Sequence, residues 1–413
     1  MRSLRTAVAW TFAGNTIYAG CQWAMLVIVA KLGSVDAVGA FALAFAVTAP
    51  VMMLSDLQLR AVQATDAREG FVFGHYLAVR MLTSGAALLA CLIFGYFTQS
   101  GLVLPVMLLI AVAKGTESVS DVMYGLMQRR QDMRSIAVSM ILKGALSLAA
   151  LGAVLYLTAS LPLACLALAC SWAIVLGFYD LRVTGKLVSV RPIWSAPALR
   201  SLTALAAPLG LVMGIISLQS NVSRYVVGAA LGVGSVGAFA AIASLGVIGI
   251  TVCNALGQVA SPRLADDYAD RRNRSFLITT AKLVVAALGI GIAGVAVASV
   301  AGAWLLGALF RPEYGREQDV LVILMLATGV TCVASMLGYA LTAARQFRQQ
   351  VPIYAASLVI TGAICGWLTP SMGLRGAAIG TAAGSLTQLV GAGWALFSTV
   401  GVQAEIRRMQ YAA

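Results

Sequence analysis

Apolar stretches of about twenty residues follow one another along almost the whole of this 413-residue chain. A helix rises ~1.5 Å per residue, so roughly twenty apolar residues cross a bilayer core. Twelve such segments are predicted, at about 8–30, 38–58, 74–97, 102–125, 135–158, 161–181, 203–229, 236–258, 275–309, 318–342, 350–369 and 373–400. They leave no room for a separate soluble domain. Hydrophobic residues make up 60% of the chain and charged residues 10%, with mean hydropathy +0.91, too few charges to solvate the outside of a soluble protein. Membrane-spanning strands are disfavoured, because the segments lack a ten-residue alternation and open strands in lipid leave backbone groups unpaired. The expected fold is therefore all-α and polytopic. The stretch 275–309 is too long for one straight span and predicts a tilt or an outward extension.

The segments fall into two similar halves. Val38-Gly39-Ala40-Phe41-Ala42 recurs as Val236-Gly237-Ala238-Phe239-Ala240, each copy after a Leu-Gly turn at Leu32-Gly33 and Leu231-Gly232. Duplication in this composition class points to a two-bundle transporter, with six spans per half in the same orientation. The predicted organisation is a bundle at 1–185, a cytoplasmic interfacial linker at 186–202 carrying Arg191, Trp194 and Arg200, and a second bundle with a short tail at 203–413. With the N-terminus inside, nineteen of the 28 lysines and arginines fall on the cytoplasmic face and four on the other. That asymmetry predicts both termini in the cytoplasm. The net charge of +13 is thus explained by topology rather than by nucleic acid. The basic start of the chain resembles the head of a signal peptide, but Tyr18 ahead of Cys21 and the apolar run to Ala30 argue against cleavage.

Polar residues where hydrocarbon is expected carry the chemistry. Lys114, Glu117, Ser118 and Asp121 lie at i, i+3, i+4 and i+7 and share one helix face. A charge at the bilayer centre costs ~2.5 kcal/mol or more, so this stripe must face protein or water. Asn15, Tyr18 and Gln22 form a second stripe; Ser217, Asn221 and Arg224 a third; Thr251, Asn254 and Gln258 a fourth; Thr328, Thr331 and Ser335 a fifth. Together they predict a hydrated lumen. Five cations, Arg80, Lys114, Lys143, Arg224 and Lys282, stand against Glu117 and Asp121, and such an excess calls for an anion such as a diphosphate or acidic sugar. The competing structural reading pairs Arg80 with Asp121 and Lys143 with Glu117, and lets Arg224 and Lys282 snorkel to the membrane surfaces. Asp56 and His75 read as interfacial residues.

Other features are bland. Seven cysteines lie within spans and form no CxxC pair. Gly376, Gly380 and Gly384 repeat at four-residue spacing, which suits close helix packing, with a dimer seam as the alternative. Pro50, inside the second span, is the candidate for a moving bend. Asn221-Val222-Ser223 forms a glycosylation sequon but lies inside a span. There is no phosphate-binding GxxxxGK[ST] loop, no metal-ligand spacing and no Ser-His-Asp set, so an enzyme is not expected.

The segment from Lys114 through Glu117-Ser118 to Tyr124-Gly125-Leu126-Met127-Gln128-Arg129-Arg130 resembles polysaccharide repeat-unit flippases of the MOP exporter superfamily. So does an ordered set in the second half: Ala207-Pro208-Leu209-Gly210, Asn221 to Arg224, Ala260-Ser261-Pro262-Arg263-Leu264, Leu306 to Tyr314, and Gly373-Leu374-Arg375-Gly376-Ala377-Ala378. The likeness covers about 1–400. It implies two six-helix bundles around a cationic cavity in the bacterial inner membrane. The implied activity is flipping of undecaprenyl-diphosphate-linked oligosaccharides to the periplasmic leaflet, for O-antigen or exopolysaccharide synthesis. In that reading Lys114, Arg224, Lys282, Arg80 and Lys143 screen the diphosphate or acidic sugars, and Asn15, Gln22, Asn221 and Asn254 bond sugar hydroxyls. Glu117 and Asp121 couple to a proton or sodium gradient, without any bound cofactor. Partners would be the lipid-linked glycan, membrane lipids and the polysaccharide polymerase machinery. Two relatives within the superfamily remain as alternatives. Lipid II flippases usually carry fourteen spans. Ion-coupled multidrug exporters typically carry an acidic residue in the first span, and residues 8–30 contain none. A glycan polymerase or ligase would need large outer loops, which are missing.

Overall fold

The computed structural model describes residues 4–65, 70–98 and 101–412, and these form helices with no strand. Arg2 and Arg68, two of the nineteen basic residues that the sequence assigns to the cytoplasmic face, lie outside the described residues. The chain divides into two compact units, Met1–Leu218 and Gln219–Ala413.

The first unit is built from α1 (Leu4–Leu32), α2 (Val35–Asp56), the short α3 (Leu59–Thr65), α4 (Phe73–Thr98), α5 (Val103–Arg129), α6 (Met133–Thr158), α7 (Leu161–Val175), a π-helical segment at Leu176–Asp180, α8 (Leu181–Gly185) and the first part of α9 (Ala196–Leu231). Local chemistry sets the ends. Ser34 caps α2, accepting from the Ala37 amide at 3.1 Å. Asp132 caps α6 through the Ser135 amide and hydroxyl at 3.4 and 2.6 Å. α2 runs through Pro50 and breaks further on, where Leu57 and Gln58 both take left-handed backbone angles (φ 50° and 51°). Non-glycine residues resist that region. The break is therefore held by its surroundings: Gly210 of α9 lies against Leu57 and the Leu54 carbonyl, where a Cβ would collide. Leu59 and, from α9, Leu202 and Ala206 are buried in one apolar cluster with Tyr76, Met123 and Met127. This packing also explains why the boundary between units falls inside α9 and not in the linker predicted at 186–202. Only the stretch before Ala196 is non-helical, and it is pinned by the Ile193 amide donating to Gly74 O at 3.0 Å.

The second unit comprises the rest of α9, α10 (Val233–Ser244), α11 (Gly246–Ala269), α12 (Asn273–Leu309), a 3-10 segment at Pro312–Glu317, α13 (Gln318–Ala343), α14 (Phe347–Met372) and α15 (Leu374–Ala412). The over-long stretch is one continuous 37-residue helix, α12. α10 and α11 meet at a 42° bend. Among the described residues ten helices are long and apolar enough to cross a membrane, or eleven with the bent pair as one span. Twelve were expected. The last predicted segment is indeed helical, as α15, but its run of Gly, Ala, Ser, Thr and Gln makes it much less apolar. The chain is a multi-pass all-α membrane protein.

The glycine stripe has a direct physical role. Cβ atoms at Gly376, Gly380 and Gly384 would strike Leu368, Cys365 and Thr361, so all three face α14. Hydroxyls stitch the same region: Ser357 Oγ donates to Gly384 O at 2.8 Å, and Thr331 and Ser385 lie 2.8 Å apart. The stripe is a helix-packing seam within the unit, as the sequence favoured. Gly380→Leu is expected to overpack this seam by ~1–3 kcal/mol and lower the melting midpoint of detergent-purified protein by several degrees. Gly393→Leu, where nothing lies within 4 Å, should melt like the parent. Equal melting of both variants in a fluorescence-detected stability assay would contradict the seam.

Candidate functional site

The first unit holds a cavity of about 570 Å³, lined by Tyr18 of α1, Met52, Met53 and Asp56 of α2, Gln58, Arg60 of α3, Lys114, Glu117, Ser118, Asp121, Tyr124 and Gln128 of α5, Met140 and Lys143 of α6 and Met213 of α9, among others. The stripe read from α5 therefore does face an open space. α5 places Lys114, Glu117 and Asp121 on consecutive turns of one face.

Each charge is answered. Lys114 Nζ donates to Glu117 Oε2 at 2.7 Å and lies over the rings of Trp172 and Phe45 at 5.2 and 5.7 Å. The Tyr18 hydroxyl donates to Glu117 Oε1, so the Asn15–Gln22 stripe reaches the cavity through its middle member. Arg80, wholly buried on α4, pairs with Asp56 and reaches Asp121 at 3.7 Å. Asp56 also accepts from Ser118 Oγ at 2.5 Å. Arg60 reaches Asp121 at 3.3 Å and Gln128 Oε1 at 3.0 Å.

Two expectations need correcting here. Lys143 does not pair with Glu117: its Nζ donates to Asp180 Oδ2 at 2.9 Å and to the Tyr124 hydroxyl at 3.0 Å, and Tyr124 meets Ser139 at 2.6 Å. Asp180 was unforeseen because it closes the π segment, where Leu181 N–H bonds Leu176 O, one residue further back than in an α-helix. That extra residue turns Asp180 inward, and it is fully buried. Asp56, in turn, is the partner of Arg80, a pairing the sequence reading did not include. Its position next to the helix break is the signal that sequence reasoning overlooked.

With Asp56, Asp180 and Arg60 included, the cations Arg60, Arg80, Lys114 and Lys143 face the carboxylates Asp56, Glu117, Asp121 and Asp180. Among the described residues the first unit's cavity is balanced, not strongly cationic.

The remaining candidates lie elsewhere. Arg224 is partly buried in the second unit and donates to Asn221 Oδ1 at 2.5 Å, one turn back on α9. Lys282 is exposed on α12. The Asn254 carbonyl accepts from the Tyr339 hydroxyl at 3.3 Å. Asn15 is exposed and bonds Thr11 O at 2.8 Å. Gln22 keeps a buried amide nitrogen without a hydrogen-bond partner. Ser223 and Thr381 meet at 2.7 Å, and Gln219 and Gln388 both donate to Ser357, so much of the second unit's polar content joins helix to helix. Among the described residues no group of His, Cys, Asp and Glu is arranged to hold a metal ion.

Two units of long apolar helices, one enclosing a charged cavity, have the fold of membrane transporters of the MOP superfamily. An inward-facing multidrug resistance MATE family transporter of that superfamily is 15% identical and superposes with a TM-score of 0.77, over 94% of this chain and 95% of that one. A MOP superfamily transporter from Pyrococcus furiosus, described as having a binding pocket of reverse polarity, is 16% identical, with a TM-score of 0.64 over 96% and 95%. The chain belongs to the polysaccharide biosynthesis protein family, whose model matches residues 4–266. The capsular polysaccharide biosynthesis protein CapF of Staphylococcus aureus is 25% identical over 375 residues, 90% of this chain and 93% of that protein.

The buried Lys143–Asp180 pair tests which charges are structural. Lys143→Met leaves Asp180 buried without a cation and is expected to destabilise the protein by ~3–5 kcal/mol. The double variant Lys143→Met/Asp180→Leu should recover most of that loss. A single variant as stable as the parent in a thermal melt would mean that Lys143 is not committed to Asp180.

Proposed function

We propose that this protein is a flippase for polyprenyl-diphosphate-linked oligosaccharide repeat units, moving them from the cytoplasmic to the periplasmic leaflet of a bacterial inner membrane. The observation that carries the reading is a charged cavity of about 570 Å³ inside a membrane-spanning unit of a chain that belongs to a polysaccharide biosynthesis family. The similarity to CapF along nearly its full length supports a glycan pathway, and the transporter fold supports movement rather than synthesis. Both termini lie in the cytoplasm in this reading, on the strength of the basic loops.

The physical task is to carry a strongly hydrated head group past hydrocarbon while the lipid tail stays in the bilayer. A polar cavity replaces the head group's water, and alternating access exposes it to one leaflet at a time. Lys114 is the central cation of that cavity: it is deep within α5, and its ammonium is held by Glu117 and two aromatic rings rather than at a membrane surface. Arg224 is the corresponding cation of the second unit. A proton or sodium gradient supplies the energy, with Glu117 and Asp121 as the coupling carboxylates.

The test is translocation in proteoliposomes, read by a glycan-modifying enzyme added outside. Protein-dependent exposure of a labelled undecaprenyl-diphosphate oligosaccharide is expected, falling at least about tenfold in Lys114→Ala, as loss of a charge-assisted interaction of ~1.5–3 kcal/mol requires. Absence of exposure, with and without an imposed gradient, would sink the flippase reading. A change in drug susceptibility on expression would favour an exporter instead.

A further inference from the structure

The cations around the cavity differ in what each leaves behind if it turns to a ligand. Arg80 and Lys143 are 0% and 1% exposed, and they are the cations that answer Asp56 and Asp180. Withdrawing either strands a carboxylate in the protein interior, a heavy cost. Lys114 is 24% exposed, but its departure leaves Glu117 with the Tyr18 hydroxyl alone. Arg60 differs from all three. Its side chain is 33% exposed at the cavity wall, and its partner Asp121 has a second cation, Arg80, at 3.7 Å. Arg60 is thus the cation whose release leaves its carboxylate still answered.

Arg60 is also suited to phosphate. A guanidinium offers a planar fork of donors that matches two phosphate oxygens, which an ammonium cannot. Its fork rests over the Tyr124 ring at 5.5 Å and donates Nε–H to Gln128, both on the cavity wall. It projects from a seven-residue helix set off from α2 by the Leu57–Gln58 break.

We infer that Arg60 is the phosphate-binding residue of this cavity, and that Asp121 is its internal competitor: a phosphate of a polyprenyl diphosphate displaces Asp121 from Arg60, and Asp121 falls back on Arg80. This rests on the flippase reading above, since a lipid-linked diphosphate is the anion in question.

The experiment measures binding of farnesyl diphosphate, a short polyprenyl diphosphate, and separately of inorganic pyrophosphate, to the purified full-length protein in detergent. Arg60→Gln is expected to weaken farnesyl diphosphate binding about tenfold or more. Asp121→Asn should tighten it several-fold, because the competing carboxylate is gone, and the double variant should bind like Arg60→Gln. Arg60→Lys, which keeps the charge without the fork, should fall between parent and Arg60→Gln; with Asp121→Asn it carries the test if Arg60→Gln does not fold. Pyrophosphate following the same pattern supports the site as one for the free anion, and binding of farnesyl diphosphate alone supports it as one for membrane-borne lipid. Unchanged binding in Arg60→Gln, weaker binding in Asp121→Asn, or no binding of either probe by the parent would overturn the inference. Glycan translocation separates the two levels. A parent that flips glycan and an Arg60→Gln variant that flips at the same rate leave the flippase reading standing and remove Arg60 from it. A parent that does not translocate removes the reading beneath.

Discussion

A charge inside a membrane-spanning bundle must be answered by another charge, and the first unit is arranged around that requirement. Four cations and four carboxylates from five helices and the π turn interlock along α5, with Asp121 and Asp56 linked through Arg80, and Lys143 tied to Asp180 at the π turn. Aromatic rings fill the gaps: Trp172 and Phe45 face Lys114, and Tyr124 lies within reach of both Arg60 and Lys143. The cavity exists because these groups cannot collapse onto one another without expelling a charge into hydrocarbon. Packing, solvation and ligand chemistry are in this sense one problem in this unit.

The second unit solves its polar problem by other means. Hydroxyls and amides of α9, α13, α14 and α15 bond across helix contacts, and glycines let α14 and α15 approach closely. Neutral hydrogen bonds of this kind hold helices together at modest energy per bond. The duplicated sequence has thus given two units with different chemistry, one with charges interlocked around a cavity, the other with hydroxyls and amides joining its helices.

Much of this was legible in the sequence. Apolar segment length fixes an all-α membrane chain, since backbone groups in lipid have no other general solution. The four-residue glycine spacing pointed to the seam that α14 fills. The i, i+3, i+4, i+7 stripe of Lys114, Glu117, Ser118 and Asp121 located the wall of the cavity, because one helix dictates its own face. What sequence spacing does not encode is partner choice across helices. Lys143 is answered by Asp180 rather than Glu117, and Asp56 belongs to Arg80 as much as Asp121 does. Those pairings depend on helix rotation and on breaks, and the two unforeseen carboxylates both sit at irregularities, one beside the left-handed Leu57–Gln58 pair and one at the end of the π segment. The apparent excess of cations came from leaving those two acids uncounted and from counting Arg224 and Lys282, which belong to the second unit and outweigh the added Arg60.

The π segment has a consequence of its own. A turn closed one residue late shifts the phase of everything after it, so the faces of α7 and α8 do not continue one another. Leu161 to Val175 and Leu181 to Gly185 read in sequence as a single wheel, yet they are two wheels offset by one spoke. Wound as a regular α-helix over the same residues, this segment would carry Asp180 about 100° round the axis and leave Lys143 facing an empty position, with no change of composition or hydropathy. The winding at this point, rather than residue identity, is what keeps the bundle's charges matched.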